Sequence, residues 1–234
     1  MRFLVTAGPT REFLDPVRFL SNPSTGKMGF AVARAARAAG HDVTLVAGPV
    51  ALRTPPGVRR IDVVSARDML AAVEREDFDC LVATAAVADW RPARCAAAKL
   101  KKRAMADTLR LVRNPDILKT VAAKFARARR RKVFIGFAAE TGEPTAEAAR
   151  KCREKGLDLV VANDVTAAGS GFGTATNRVT FVHADGRIER FPLLTKAAVA
   201  RRIVRFARQT AAEVQRACPH KVPKGLSPKV PHLN

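Results

Sequence analysis

The chain has 234 residues, 47% of them hydrophobic, and a formal net charge of +21. That length and composition suit one α/β domain with a substantial core; they exclude a disordered or fibrous chain, and no apolar run is long enough to cross a bilayer. The charge is uneven, with 13 Lys/Arg against two Asp/Glu from Ala96 to Lys132 and nine against one from Lys196 to Asn234. A solvated basic surface, a polyanionic partner or small phosphorylated substrates would each suit such a field.

In chain order, Arg2–Ala7 is apolar with β-branched residues and closes on Gly8-Pro9, which predicts a first strand. It lacks the charged and apolar regions of a secretion signal, so a cytoplasmic protein is expected. Gly26–Ala39 has helical spacing and stops at Gly40. Asp42–Ala47 and Arg60–Val64 read as strands, Ala66–Glu76 as a helix and Asp79–Ala85 as a buried strand. Residues 86–113 form a basic excursion, partly extended, outside the main sheet. A helix then runs to about Arg129, followed by a strand at Val133–Ala138, a helix at Thr145–Lys155 and a strand at Leu157–Ala162. Residues 166–177 read as loop. Arg178–His183 and Arg187–Pro192 flank Ala184-Asp185-Gly186 as a hairpin, and Thr195–Arg216 is a last helix. The expected fold is therefore α/β: a Rossmann-like, mostly parallel sheet with helices on both faces, plus a flap excursion and a β-hairpin. Residues 1–217 make the domain, with the flap at about 90–113, and 218–234 is expected to be a disordered basic tail.

Several kinds of chemistry are excluded. Ser21–Met28 faintly resembles a phosphate-binding P-loop, but lacks its first glycine and places Met28 where a magnesium-binding hydroxyl belongs. No GxGxxG follows the first strand, and the chain has no tyrosine for a Tyr/Lys dehydrogenase pair. Cys80, Cys95, Cys152 and Cys218 form no CxxC pair, and His41, His183, His220 and His232 are scattered.

Ligands of such sheets bind beyond the carboxyl ends of the strands, so the loops there hold the candidates. Asn114-Pro115-Asp116 has Asn as a helix cap and Pro at the first helical position; it is either a capped helix or a start whose N–H groups hold a phosphate. Lys99-Leu100-Lys101-Lys102 is either a solvated face or a mobile cationic flap. Lys151 and Lys155 share a helical face and either pair with Glu147 and Glu154 or face a polyphosphate. Asp89 is a loop cap or a ligand contact, and Asn22 is turn chemistry or an amide donor.

Eight stretches together resemble the bacterial phosphopantothenoylcysteine synthetases: Thr6–Glu12, Leu14–Asn22, Gly26–Gly29, Ala85–Asp89, Lys99–Lys102, Asn114–Ile117, Gly136–Thr141 and Ala162–Val165. The resemblance implies a ligase joining 4'-phosphopantothenate and L-cysteine through an acyl-cytidylate, with CTP giving CMP and pyrophosphate in coenzyme A biosynthesis. By residue, Asn22 is similar to the asparagine that holds the acyl-cytidylate, Arg18 to a residue supporting that site, and Lys99 to the flap lysine. Ala85 and Asp89 resemble part of the cytidine pocket. Pro115, Asp116, Ile117 and Phe137 resemble further nucleotide contacts, and Lys151 and Lys155 the lysines facing the triphosphate. The family implies Mg2+ with CTP, a homodimer, and no membrane. The sequence departs from it in Pro23-Ser24-Thr25 and in the basic tail, and begins at the synthetase's first strand. The chain is then either a stand-alone synthetase or a fragment of a bifunctional protein; no flavin is expected to bind it, and in the first case a separate flavoprotein decarboxylase is expected as the next pathway enzyme. Two rivals predict otherwise. A nucleic-acid module, suggested by the charge, is disfavoured because Trp90 is the only tryptophan and no aromatic–basic stacking pattern appears; a nicotinamide-dependent reductase would use the same sheet.

Overall fold

Successive residues of the first strand serve different cores. In β1 (Arg2–Ala7), Phe3, Val5 and Ala7 join one apolar cluster and Leu4 another. A strand buried on both faces belongs inside a sheet covered by helices on each side. The computed structural model describes residues 1–104, 108–127 and 132–217, and has that arrangement.

After β1 come a hairpin of β2 (Arg11–Phe13) and β3 (Phe19–Ser21), then α1 (Lys27–Ala38), β4 (Asp42–Ala47), β5 (Arg59–Asp62), α2 (Ala66–Arg75) and β6 (Cys80–Ala83). Next are β7 (Trp90–Pro92), β8 (Leu111–Arg113), α3 (Ile117–Arg127), β9 (Val133–Glu140), α4 (Thr145–Lys155) and β10 (Leu159–Asp164). The chain continues through β11 (Thr176–Asn177), β12 (Val179–His183), β13 (Ile188–Arg190), β14 (Leu194–Thr195) and α5 (Lys196–Ala217). The main sheet has the order β13-β12-β10-β9-β6-β1-β4-β5. Its strands from β5 to β10 run parallel, and β12 and β13 are antiparallel. α1 and α5 cover one face; α2, α3 and α4 cover the other.

The chain leaves β1 through α1 on one face to β4, then crosses to β6 through α2 on the opposite face. A crevice must open between the carboxyl ends of β1 and β6, where the winding reverses. α1 approaches that seam closely. A Cβ on Gly29 would stand 2.4 Å from Thr84 Oγ1 and 2.5 Å from Ala7 Cβ, so only glycine fits.

β7 and β8 pair with each other outside the main sheet, as the excursion was expected to do. Residues 105–107 of that excursion and the tail 218–234 lie outside the described residues. The helix after Asn114 starts later than the local motif predicts. Asp116 caps α3: its Oδ1 accepts the Lys119 N–H at 3.0 Å and its carbonyl accepts the Thr120 N–H at 2.9 Å. Asn114 is drawn away because its amide donates to the Ala88 carbonyl at 2.8 Å and its Oδ1 accepts from Arg91 at 3.1 Å. Pro115 therefore stands before the helix rather than at its first turn.

Candidate functional site

Two threonines bind the loop after β6 to the loop after β1. Thr84 Oγ1 donates to the Thr6 carbonyl at 2.6 Å, and Thr10 Oγ1 accepts the Ala88 N–H at 3.0 Å. The Ala86 N–H reaches the Gly8 carbonyl at 2.9 Å. Asn22, which follows β3, donates its amide to the carbonyls of Ala86 at 3.0 Å and Val87 at 3.2 Å. The strand ends and these loops enclose a cleft of about 830 Å3 at the switch point.

Nine of the eleven residues singled out from the sequence line this cleft: Asn22, Ala85, Asp89, Pro115, Asp116, Ile117, Phe137, Lys151 and Lys155. They come from five separate segments, so the fold and not sequence proximity brings them together. Arg18 and Lys99 are not on its lining in the single chain. Lys99 is exposed, and Arg18 is bound to Asp15 and to the Leu100 carbonyl.

The cations on the α4 side are partnered. Lys155 Nζ lies 2.7 Å from Asp116 Oδ2, and Lys151 Nζ lies 2.6 Å from Glu140 Oε1 and 3.6 Å from Glu147. Arg150 pairs with Glu147 and Glu154 at 2.5 Å each. Glu147 thus meets Lys151 as its spacing suggested, whereas Glu154 turns to Arg150 instead of Lys155. Burial alone would raise the Asp116 carboxyl pKa, but Lys155 and the Lys119 N–H outweigh it and hold it below the usual carboxylate range. An arriving polyphosphate would have to exchange for these carboxylates, and such exposed, flexible pairs are weak enough to exchange.

The opposite wall contains two cations that the sequence motifs did not identify. Lys196, 7% exposed, donates to the carbonyls of Gly171 at 3.0 Å and Thr174 at 2.8 Å, and to Thr174 Oγ1 at 3.3 Å. Burial, and then the nearby Lys27, push its pKa down. Lys27 donates to the Gly173 carbonyl at 2.5 Å. No local pattern announces Lys196, since its acceptors lie more than 20 residues earlier in the chain. Between these lysines, α1 begins at Gly26, with φ 77°, no side-chain cap and no acidic residue in its first turn. An uncapped helix start beside cations favours an anion.

Among the described residues, no three His, Cys, Asp or Glu form a metal-binding group, and no helix is long and apolar enough to cross a membrane. The cleft offers an anionic ligand lysines on two sides, those of α4 paired with carboxylates and Lys27 and Lys196 bound to backbone carbonyls, with Ala85, Ile117 and Phe137 as apolar lining.

Residues 1–210 match the family model of the DNA/pantothenate metabolism flavoprotein C-terminal domain. The chain is 47% identical over 206 residues to the coenzyme A biosynthesis bifunctional protein CoaBC of Vibrio vulnificus strain YJ016, covering 86% of this chain and 50% of that protein. It is 46% identical over 200 residues to CoaBC of Bacillus subtilis strain 168, covering 84% and 48%. The chain thus spans about half the length of these relatives. The crystal structure of the C-terminal domain of CoaBC superposes with a TM-score of 0.74 at 40% identity, covering 92% of this chain and 96% of that one. The DNA/pantothenate metabolism flavoprotein from Streptococcus pneumoniae, 23% identical, has the same fold with a TM-score of 0.75 over 90% and 99%. With this match over most of its length, the chain belongs to the DNA/pantothenate metabolism flavoprotein C-terminal domain family.

Proposed function

We propose that this chain is a phosphopantothenate–cysteine ligase in coenzyme A biosynthesis, acting through an acyl-cytidylate formed from CTP, with residues 1–217 as the ligase domain. A carboxylate oxygen of 4'-phosphopantothenate attacks the α-phosphorus of CTP, and pyrophosphate leaves with the electron pair of the broken P–O bond. The amine of L-cysteine then attacks the acyl carbon, forming the amide and expelling CMP; the amine gives up a proton to solvent.

The observation that carries this reading is a cleft with lysines at two corners. Lys151 and Lys155, each paired with a carboxylate, come from α4, and Lys27 and Lys196, with the uncapped start of α1, come from the helices of the opposite face. A triphosphate suits the first and the substrate's terminal phosphate the second, which brings the substrate carboxylate toward the α-phosphorus between them. Ala85, Asp89, Pro115, Asp116, Ile117 and Phe137 form the wall assigned to the nucleotide. Asn22 sits between the corners, where its amide would turn from Ala86 and Val87 to the acyl phosphate. Lys99 and Arg18 are assigned to stabilising the reacting groups, with Lys99 reaching the site of a second copy.

That second copy is argued from apolar exposure. Val17, in the turn between β2 and β3, and Phe19, Trp90 and Leu111, on two small sheets that touch through β2 and β7, are each 39–55% exposed. Clusters of this kind mark interfaces, and a homodimer would cover them. Mg2+ is assigned as the companion of CTP, since a triphosphate brings its own oxygen ligands and Asp116, Glu140 and Glu147 are occupied by cations. No step depends on it here.

The test is a nucleotide screen with 4'-phosphopantothenate and L-cysteine, following pyrophosphate and product mass. Pyrophosphate release that needs both CTP and 4'-phosphopantothenate supports the reading. Equal release without 4'-phosphopantothenate, or none with any nucleotide, overturns it. Light scattering of the free protein checks the dimer.

A further inference from the structure

Asp15 is completely buried in the turn between β2 and β3, outside the cleft. Its Oδ1 accepts the N–H groups of Val17 at 2.8 Å and Arg18 at 2.9 Å. Its Oδ2 accepts Arg18 Nε at 3.0 Å, Arg18 Nη2 at 2.6 Å and the Leu100 N–H at 3.1 Å. Arg18 Nη2 also donates to the Leu100 carbonyl at 2.6 Å, so Leu100 is gripped through both of its backbone groups. The Ala96 N–H donates to the Leu14 carbonyl at 2.8 Å. One turn therefore clamps the chain at 96 and again at 100, on either side of Lys99.

A carboxylate taken out of water is tolerated only when its lone pairs are filled, and here every donor comes from the turn itself or from Leu100. The Leu100 N–H belongs to the peptide plane that includes the Lys99 carbonyl, and that plane is rigid. Holding it fixes where Lys99 leaves the domain and leaves only its side chain to swing. The same carboxylate orients the Arg18 guanidinium through two of its nitrogens.

We propose that Asp15 is a positioning residue for the ligation: it couples Arg18 to the root of the Lys99–Lys102 segment and presents Lys99 at a fixed point. This rests on the reading of Lys99 as a residue acting on the nucleotide. Asp15 touches no substrate; it acts through Lys99.

The test uses the full chain with Asp15→Asn, Lys99→Gln, the double variant and Leu100→Pro, which removes the Leu100 donor and restricts the local backbone. Asp15→Asn is expected to lower kcat about tenfold with KM for CTP changed less than about threefold, the signature of lost transition-state contact. Trypsin cleavage at Lys99–Lys102 of the free protein should rise about tenfold while cleavage elsewhere holds. The double variant should lose less than the product of the two single losses, because both changes disable the Lys99 device while Asp15 also orients Arg18. Leu100→Pro should repeat the kcat loss and the cleavage after Lys101 and Lys102, the bond after Lys99 being closed to trypsin by the proline, and it carries the test if Asp15→Asn does not fold. Additive losses in the double variant, or unchanged cleavage, would overturn the proposal. If the wild-type chain releases no pyrophosphate, the ligase reading fails, and the trypsin comparison still decides whether Asp15 anchors the segment.

Discussion

Lys155 Nζ stands 2.7 Å from Asp116 Oδ2, joining the last turn of α4 to the capping residue of α3 across the mouth of the cleft. The pair holds the lysine over the cleft before any ligand arrives, and a phosphate would take over the role of the carboxylate. Lys155→Met should therefore raise KM for CTP about tenfold, the size of one charge-assisted contact, with the melting temperature little changed. Steady-state kinetics at varied CTP check this.

The same pair predicts an acid response. The folded-state pKa of Asp116 is lowered, so its contribution to stability is fully present above the unfolded pKa of about 4 and is lost as pH falls through the folded value. Between pH 4 and pH 2 the wild type should lose more stability than Asp116→Asn. Urea titrations over that range measure the difference; identical slopes would remove the pair from the account.

Asn22→Asp replaces an amide donor with a carboxylate facing the carbonyls of Ala86 and Val87. Repulsion would swing it away and put negative charge where an acyl phosphate must sit. Turnover should fall about 100-fold, in the range found when a transition-state donor is removed. Quenched-flow detection of the acyl-cytidylate would separate slow formation from slow breakdown.

Gly29→Ala brings a methyl group against Thr84 Oγ1 and Ala7, both on the seam between β1 and β6. Overpacking of this kind costs about 1–3 kcal/mol, and it should loosen the switch point together with the stability. Leu81→Ala, in the opposite core, should cost about 2–5 kcal/mol through a cavity alone. Chemical denaturation of the two variants, with activity measured alongside, tells the seam from the core.

Much of the sheet was legible because its signals are local. Arg2–Ala7, Asp42–Ala47 and Thr145–Lys155 appear with the bounds their apolar runs and flanking glycines predicted. Strands at Arg59–Asp62, Cys80–Ala83 and Leu159–Asp164 sit a residue or two from expectation, where burial fades gradually. The β2–β3 hairpin escaped because its strands have three residues each, too few for periodicity, and because a buried carboxylate rather than a turn dipeptide organises its bend. The start of α3 was misplaced at Asn114 since a side chain's choice between capping and bonding a distant carbonyl is made by the tertiary structure. Lys196 was missed for the same reason: only the folded loop supplies its acceptors. Of the nine cleft residues, Ala85, Ile117 and Phe137 came from a resemblance alone and the other six also from local patterns, and Rossmann topology explains why loops so far apart in sequence share one place.

Lys27 and Gly173 touch although they stand 146 positions apart in the chain. The wall they complete cannot exist until β12, β13 and α5 have returned beside α1, so a nascent chain that has displayed β1 through β9 has a sheet but no closed binding site. Assembly order thus delays ligand capture until the whole domain has formed, and a ligand would act as a reporter of complete folding rather than as a template for its early steps.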